Sequence, residues 1–229
     1  MSNNRRENVP FDPYHFQKLL GQGIAYSIKD TFQNIYRTNH WSGQDSISGD
    51  GASTTQTQQI QTELPSLLQR LQISTFLDLP CGDFSWMQFV DLSSVSYIGA
   101  DIVPEIIHQN QEKYGQLNRR FISLDITQDD LISADLLFCR DCLVHFSFAD
   151  IHRTIINIKR NKFIYLLTTT FPNCELNEDI ITGDWRLLNF TLPPFNFPPL
   201  VYLINEQCSE GNGGFQDKSL GLWLVESIP

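Results

Sequence analysis

The stretch "FLDLPCGDFSWM", residues 76–87, decides how the rest of the chain is read. It begins as an apolar strand and breaks at Pro-Cys-Gly-Asp-Phe. A strand that runs into a tight glycine turn and then a helix is how a nucleotide-binding loop begins. Gly82 lets a ligand approach the backbone because it has no Cβ. Pro80 presets φ but has no N–H to offer. Phe84 stands where a pyrophosphate cradle has a glycine. The loop is therefore expected to serve a cofactor that lays a neutral or cationic part beside it, not a phosphate.

Outward from this loop, short apolar runs alternate with helical patterns. Strands are expected at residues 75–79, 95–100, 120–124, 135–139 and 163–168, with helices at 85–91, 104–114 and 147–158. Pro104 suits a first helical turn, and Ser147 with Asp150 resembles a capping box. Two late strands, at residues 200–206 and 220–226, flank the glycine-rich "SEGNGGFQDK" and read as an antiparallel hairpin. This order predicts an α/β fold: a Rossmann-like, doubly wound sheet of about seven strands, mostly parallel with an antiparallel C-terminal edge hairpin. Residues 1–60 differ, being rich in Asn, Gln, Ser and Thr. They read as an N-terminal helical and irregular cap, with helices at 13–20 and 26–36, then a polar loop with Gly43, Gly49 and Gly51. A helix over 54–71 leads into the main domain, 61–229. Phe11, Tyr14, Phe16, Phe32, Tyr36 and Trp41 mark the cap as a packing segment and not a bare tether.

Four strands in succession end in an acid. Asp78 closes the first, Asp101 follows 23 residues later in "YIGADI", Asp125 ends "FISLDI" and Asp141 ends "LLFCRD". Right-handed crossovers bring these ends to one edge of the sheet, where ligands bind in open α/β folds. Asp101 has the spacing of an acid that accepts from ribose hydroxyls. Asp125 can accept from an adenine amino group while Ile126 packs on the ring. An acidic, phosphate-averse edge that reads ribose and adenine points to S-adenosylmethionine.

The motifs "LDLPCGDF", "GADI", "SLDI" and "LLFCRD", in this order, resemble those of the class I S-adenosylmethionine-dependent methyltransferases. "SGDGASTTQT", "PCGDFSWM", "RDCLVH" and "TGDWR" are similar to recurrent features of a little-characterised branch of that family, over roughly residues 40–229. Pro80 and Phe84 depart from the common Gly-x-Gly-x-Gly loop. The resemblance implies methyl transfer with S-adenosylmethionine as cofactor. It places Asp78, Cys81 and Gly82 on the methionine moiety, with Pro80 and Phe84 in the same loop. Asp101 and Ile102 fall at the ribose, and Asp125 and Ile126 at the adenine. Arg140 and Asp141 fall near the amino-acid end and the methyl group, and "SGDGAST" folds over the cofactor as a lid.

If the acceptor is a hydroxyl or amine, a base within hydrogen-bond reach helps remove its proton. His145, four residues past Asp141 in the loop before Ser147, is the candidate. Asp141 is the alternative base or the partner that orients His145. Asn173, Asn177, Asp179, Trp185 and Arg186 form a polar set with one indole that suits an acceptor pocket. "PPFNFPP" either walls that pocket or is a rigid connection. Three rivals stand beside this reading. Cys139, Cys142 and His145 have the pattern of a zinc half-site. A non-catalytic cofactor-binding protein of the same fold is a second, and a nicotinamide dinucleotide enzyme a third.

A net charge of −10 over 229 residues argues against nucleic acid as a partner, since phosphate binding needs a clustered basic surface. Arg119-Arg120 and the basic residues at 159–162 read as a solvated rim. The expected partner is a small-molecule or glycan acceptor, with no membrane and no metal. "MSNNRRENVP" has no apolar stretch behind its arginines, so it does not read as a secretory signal. No segment approaches the about 20 apolar residues of a membrane helix. The five cysteines are scattered and odd in number, which argues against a disulfide framework. The expected location is cytoplasmic.

Overall fold

The computed structural model describes residues 9–10, 12–44 and 46–229. The opening "MSNNRREN", on which the reading of the N-terminus rests, and Phe11 lie outside the described residues. Seven strands form one sheet: β1 (Thr75–Asp78), β2 (Ser96–Asp101), β3 (Arg119–Ser123), β4 (Leu136–Cys139), β5 (Tyr165–Thr170), β6 (Tyr202–Asn205) and β7 (Ser219–Leu224). Their order is β3-β2-β1-β4-β5-β7-β6. The first five are parallel, and β7 runs antiparallel between β5 and β6. The strand order reverses between β1 and β4, which opens a crevice at their C-terminal ends.

Alternation along the strands sorts the core into two faces. Phe76, Leu136 and Phe138 pack with Leu64, Leu67 and Leu68 of helix α3 (Thr54–Arg70). Leu77, Leu137 and Leu166 pack instead with Ile151, Ile155 and Ile158 of helix α5 (Phe148–Arg160). Each fully buried side chain of this kind contributes roughly 1.5–3 kcal/mol relative to exposure. Helix α4 (Pro104–Tyr114) carries Pro104 in its first turn, and the Ser147 hydroxyl caps α5 by accepting from the Asp150 N–H. Two shorter helices, α1 (His15–Gly21) and α2 (Ile28–Thr38), make the cap. Helix α3 runs unbroken across residue 60. Among the described residues no helix is long and apolar enough to cross a membrane.

One crossover differs from expectation. The helix expected over 85–91 is a single 3-10 turn, Met87–Phe89. Trp86, Met87, Val90 and Leu92 are all buried, so this segment lies flat on the sheet instead of presenting one helical stripe. Between β5 and β6 there is no helix. Buried amides tie that segment together: Asn177 donates to the carbonyls of Asn189 and Pro193, and Asn189 to those of Pro172 and Cys174. "PPFNFPP" is part of the core. Phe195 and Phe197 are buried, and Phe197 stacks on Phe190 at 4.8 Å.

Candidate functional site

A cavity of about 530 Å³ opens at the strand-order reversal. Its floor is Asp78–Gly82, Asp101–Val103, Leu124–Ile126 and Phe138, the C-terminal ends of β1 to β4 and the turns that follow. Phe32, Trp41 and residues 47–52 form the roof, and Asp141, His145, Phe171, Trp185, Phe215 and Lys218 close the far end.

Among its cavity-lining residues, the loop after β1 has no amide to spare for a phosphate. Pro80 has none, the Cys81 N–H donates to Ala100 O at 2.8 Å, and the Gly82 N–H donates to Asp101 Oδ2 at 3.2 Å. The helix whose N-terminus would face an anion is absent. Asp78 is 2% exposed. Its Oδ2 accepts from the Tyr97 hydroxyl, and its Oδ1 is buried with no partner. Burial raises its carboxyl from the ordinary 3.8 to about 8, opposed by the Tyr97 hydrogen bond. An orphaned carboxylate oxygen in a closed wall calls for a cation or a donor there. Burial likewise raises Asp101 to about 6, although the Val103 and Gly82 amides favour its charged form.

Asp125 lines the same cavity, and its oxygens hold the turn after β3 by accepting from Thr127 and Gln128. Pro80, Cys81, Gly82, Ile102 and Ile126 all line the cavity as well. Phe84 does not. With φ +58° it turns into an aromatic cluster with Tyr97, Tyr114 and Phe121, because a large ring gains more by burial than by facing a polar ligand.

Arg140 and Asp141 line the cavity and are engaged with protein partners. The Arg140 guanidinium grips the Glu206 carboxylate at 2.7 and 3.2 Å, donates to Gly51 O at 2.8 Å and pairs with Asp141 at 3.2 Å. Lys218 pairs with Asp141 at 2.7 Å and approaches Glu206 and Glu210. Arg140 is thus occupied by protein partners and tethers the roof at Gly51. Burial alone would raise the Asp141 carboxyl, but Arg140 and Lys218 together hold it well below the usual range. A carboxylate pinned by two cations stays charged near neutrality.

His145 is buried at the cavity wall, and burial lowers its imidazole from 6.5 to about 4. It is neutral at pH 7. Its orienting partner is not Asp141. Nδ1–H donates to the Asp184 carbonyl at 2.9 Å, which fixes the tautomer and leaves Nε2 as the acceptor. Trp41 stacks on the ring at 4.7 Å. Asp184 also works through its side chain, which accepts from the Phe16 and Gln17 amides at 2.7 and 3.0 Å and so caps α1. One residue therefore joins the cap to the candidate base. Of the polar set after β5, only Trp185 lines the cavity. Arg186 donates to the Leu143 and Phe146 carbonyls, Asp179 accepts from Phe148 N–H, and Asn177 serves its own segment. Cys139 and Cys142 belong to the core, and among the described residues no three His, Cys, Asp or Glu side chains form a metal-holding group.

The roof is clamped to the floor. Asp83 accepts from Ser46 Oγ and the Ile47 N–H, both at 3.0 Å. Gly82 has φ +52°, and a Cβ there would lie 2.3 Å from Ser48 Oγ. The turn's glycine thus makes room for the roof as well as for a ligand.

Sequence reasoning did not assign Lys218, Glu206, Asp184, Phe171 or Phe215 to the site. Lys218 and Glu206 sit at the ends of the late strands, and charges set between apolar runs were their only signal. In the sequence Trp41 signals packing and names no ligand.

No protein-family model matches the chain, and no curated protein matches it in sequence. Solved structures match its shape. The N-methyltransferase NodS from Bradyrhizobium japonicum WM9 superposes with a TM-score of 0.54 at 15% identity, over 74% of this chain and 96% of NodS. The PH0226 protein from Pyrococcus horikoshii OT3 gives 0.52 at 16% identity, over 76% and 93%. The methyltransferase domain of bacterial CtHen1 gives 0.45 at 11% identity, over 50% of this chain and 66% of that one. The chain has the class I methyltransferase fold, as its sheet order and its likeness to NodS and PH0226 show.

Proposed function

We propose that this fold, with the cavity at its strand reversal, makes the chain an S-adenosylmethionine-dependent methyltransferase acting on a small-molecule acceptor. The observation that carries the reading is the orphaned Asp78 Oδ1, a buried acceptor in a wall where the Cys81 and Gly82 amides are already bonded. It suits the α-ammonium of a methionine moiety and does not suit a pyrophosphate. When bound, the cofactor supplies an electrophilic methyl group on a sulfonium, and the protein supplies alignment and a dry site. Asp78 would hold the ammonium, with Pro80, Cys81 and Gly82 along the methionine chain. Asp101 would accept from the ribose hydroxyls, next to Ile102. Ile126 would pack on the adenine, whose amino group Asp125 faces.

The first 60 residues act as cap and lid over the domain formed by the remainder. Asp83 and Arg140 support this by fastening residues 46–51 across the cavity. His145 is the group that takes the acceptor's proton. Four of the five cysteines are buried and all are unbonded, which supports a reducing, cytoplasmic setting.

The test is calorimetric titration of the folded protein with S-adenosylmethionine and S-adenosylhomocysteine, repeated on Asp101→Ala. Binding at one site, weakened at least tenfold by the substitution, is the expected result. Absence of binding to a folded wild type overturns the reading.

A further inference from the structure

We propose that the acceptor is an aromatic hydroxyl, a phenol-like ring seated between Trp41 and the Phe171–Trp185–Phe215 wall, its oxygen held by the Trp41 indole N–H and His145 Nε2. This deepens the methyltransferase reading and rests on it.

The far end of the cavity is aromatic. Trp185 meets Phe215 edge-on at 5.2 Å, and Phe171 lies 6.2 Å from each. Trp41, stacked on His145, forms the opposite side. Such walls favour a flat, apolar body.

The charged groups here are engaged with one another. Arg140 is taken by Glu206 and Asp141, and Lys218 by Asp141 with Glu206 and Glu210 beside it. A carboxylate acceptor would need a free cation, and an ammonium a free acid. The network offers no free cation without breaking a buried pair, and Asp50, the acid outside it that lines the roof, is exposed. A sugar would need many hydrogen-bond partners.

Among the described residues, two of the four buried side-chain atoms without a partner belong to this cavity's walls. One is Asp78 Oδ1, already given to the cofactor. The other is Trp41 Nε1, a donor. The ring it stacks on presents an acceptor, because His145 spends its only proton on the Asp184 carbonyl. A donor on one ring and an acceptor on the ring beside it match a hydroxyl, which accepts with its lone pair and donates with its hydrogen.

The acidity of the group follows from the same site. As the phenolic oxygen forms its bond to the methyl carbon, the C–S bond breaks onto sulfur and the O–H proton passes to His145 Nε2. A weakly basic, buried imidazole serves a phenol better than an aliphatic alcohol, whose proton is held far more tightly.

The experiment uses the full chain, three naphthalenes with different substituents and one sugar. 2-Naphthol, 1-(aminomethyl)naphthalene, 2-naphthoate and methyl β-glucoside are titrated into the protein saturated with S-adenosylhomocysteine, then incubated with S-adenosylmethionine and examined by mass spectrometry. The proposal expects 2-naphthol to bind best and to be the one methylated, by a gain of 14 mass units for one CH₂ (about 14 Da). It expects Trp41→Phe, which keeps a ring but loses the N–H, to weaken 2-naphthol about tenfold while S-adenosylmethionine affinity stays within about twofold. Preference for the amine, the acid or the glucoside overturns the phenol assignment, as does no discrimination or a Trp41→Phe protein equal to wild type. In each of these cases cofactor binding is intact, so the methyltransferase reading survives. Loss of cofactor binding in the wild type overturns both.

Discussion

Asp78 sets stability against ligand binding at a single atom. Its carboxyl sits at 3.8 in the unfolded chain and about 8 in the fold, so folding disfavours the ionised form. The cost is absent below the unfolded value and grows as pH rises from there towards 8. Asp78→Asn removes the charge and keeps an acceptor for Tyr97. It is expected to raise the melting temperature of the ligand-free protein at pH 7, with the gap shrinking towards pH 4, as differential scanning fluorimetry would measure. The same variant is expected to bind S-adenosylmethionine at least tenfold more weakly. A cation beside Oδ1 favours the carboxylate, so binding at pH 7 should expel a proton. Calorimetry in buffers of different ionisation enthalpy reads that number directly. Asp101 gives the opposite limb. Ribose hydroxyls donate to its charged form, so affinity should fall as pH drops through about 6.

At the scale of elements, the cap is attached to the site through Asp184 on α1 and through Asp83 and Arg140 on the 46–51 segment. Asp184→Ala removes the acceptor for two α1 amides and should cost about 1 kcal/mol. The expected signature is faster hydrogen exchange confined to residues 13–38, with sheet amides unchanged. Gly82→Ala should be worse than a surface change, because the added Cβ meets Ser48 and the φ is positive. A loss of about 1–2 kcal/mol, together with weaker cofactor binding, is expected from chemical denaturation and titration. The strands and most helices could be read from the sequence, since apolar runs at period 2 and 3.6 report burial directly. The segment after the Pro-Cys-Gly turn could not, because four buried apolar residues there satisfy a flat 3-10 turn as well as a helix. The floor acids were legible because strand ends converge on one edge. The roles of Arg140, Asp141 and Asp184 were not, since each depends on partners from 39 to 168 residues away.

Across the whole molecule, five charged side chains from three separate stretches meet under the roof: Arg140 and Asp141 after β4, Glu206 and Glu210 after β6, and Lys218 before β7. Removing one member strands the others. Glu206→Ala leaves the Arg140 guanidinium without its two-point partner and is expected to lower unfolding free energy by about 3 kcal/mol, read by urea denaturation. Because Arg140 also holds Gly51, the same variant should loosen the roof and raise the cofactor's dissociation rate.

The position of β7 between β5 and β6 has a consequence for how the protein is made. On a ribosome, β6 emerges before β7 yet has no neighbour in the sheet until β7 arrives. Until then β5 presents an open hydrogen-bonding edge, and Arg140 waits for the segment that carries Glu206. Closure of the sheet and completion of the charge network around Arg140, which needs Lys218 as well as Glu206, therefore fall at the same late moment of synthesis. A nascent chain stalled before residue 219 would hold five paired strands with one sticky margin, the form in which chaperones would most need to meet it.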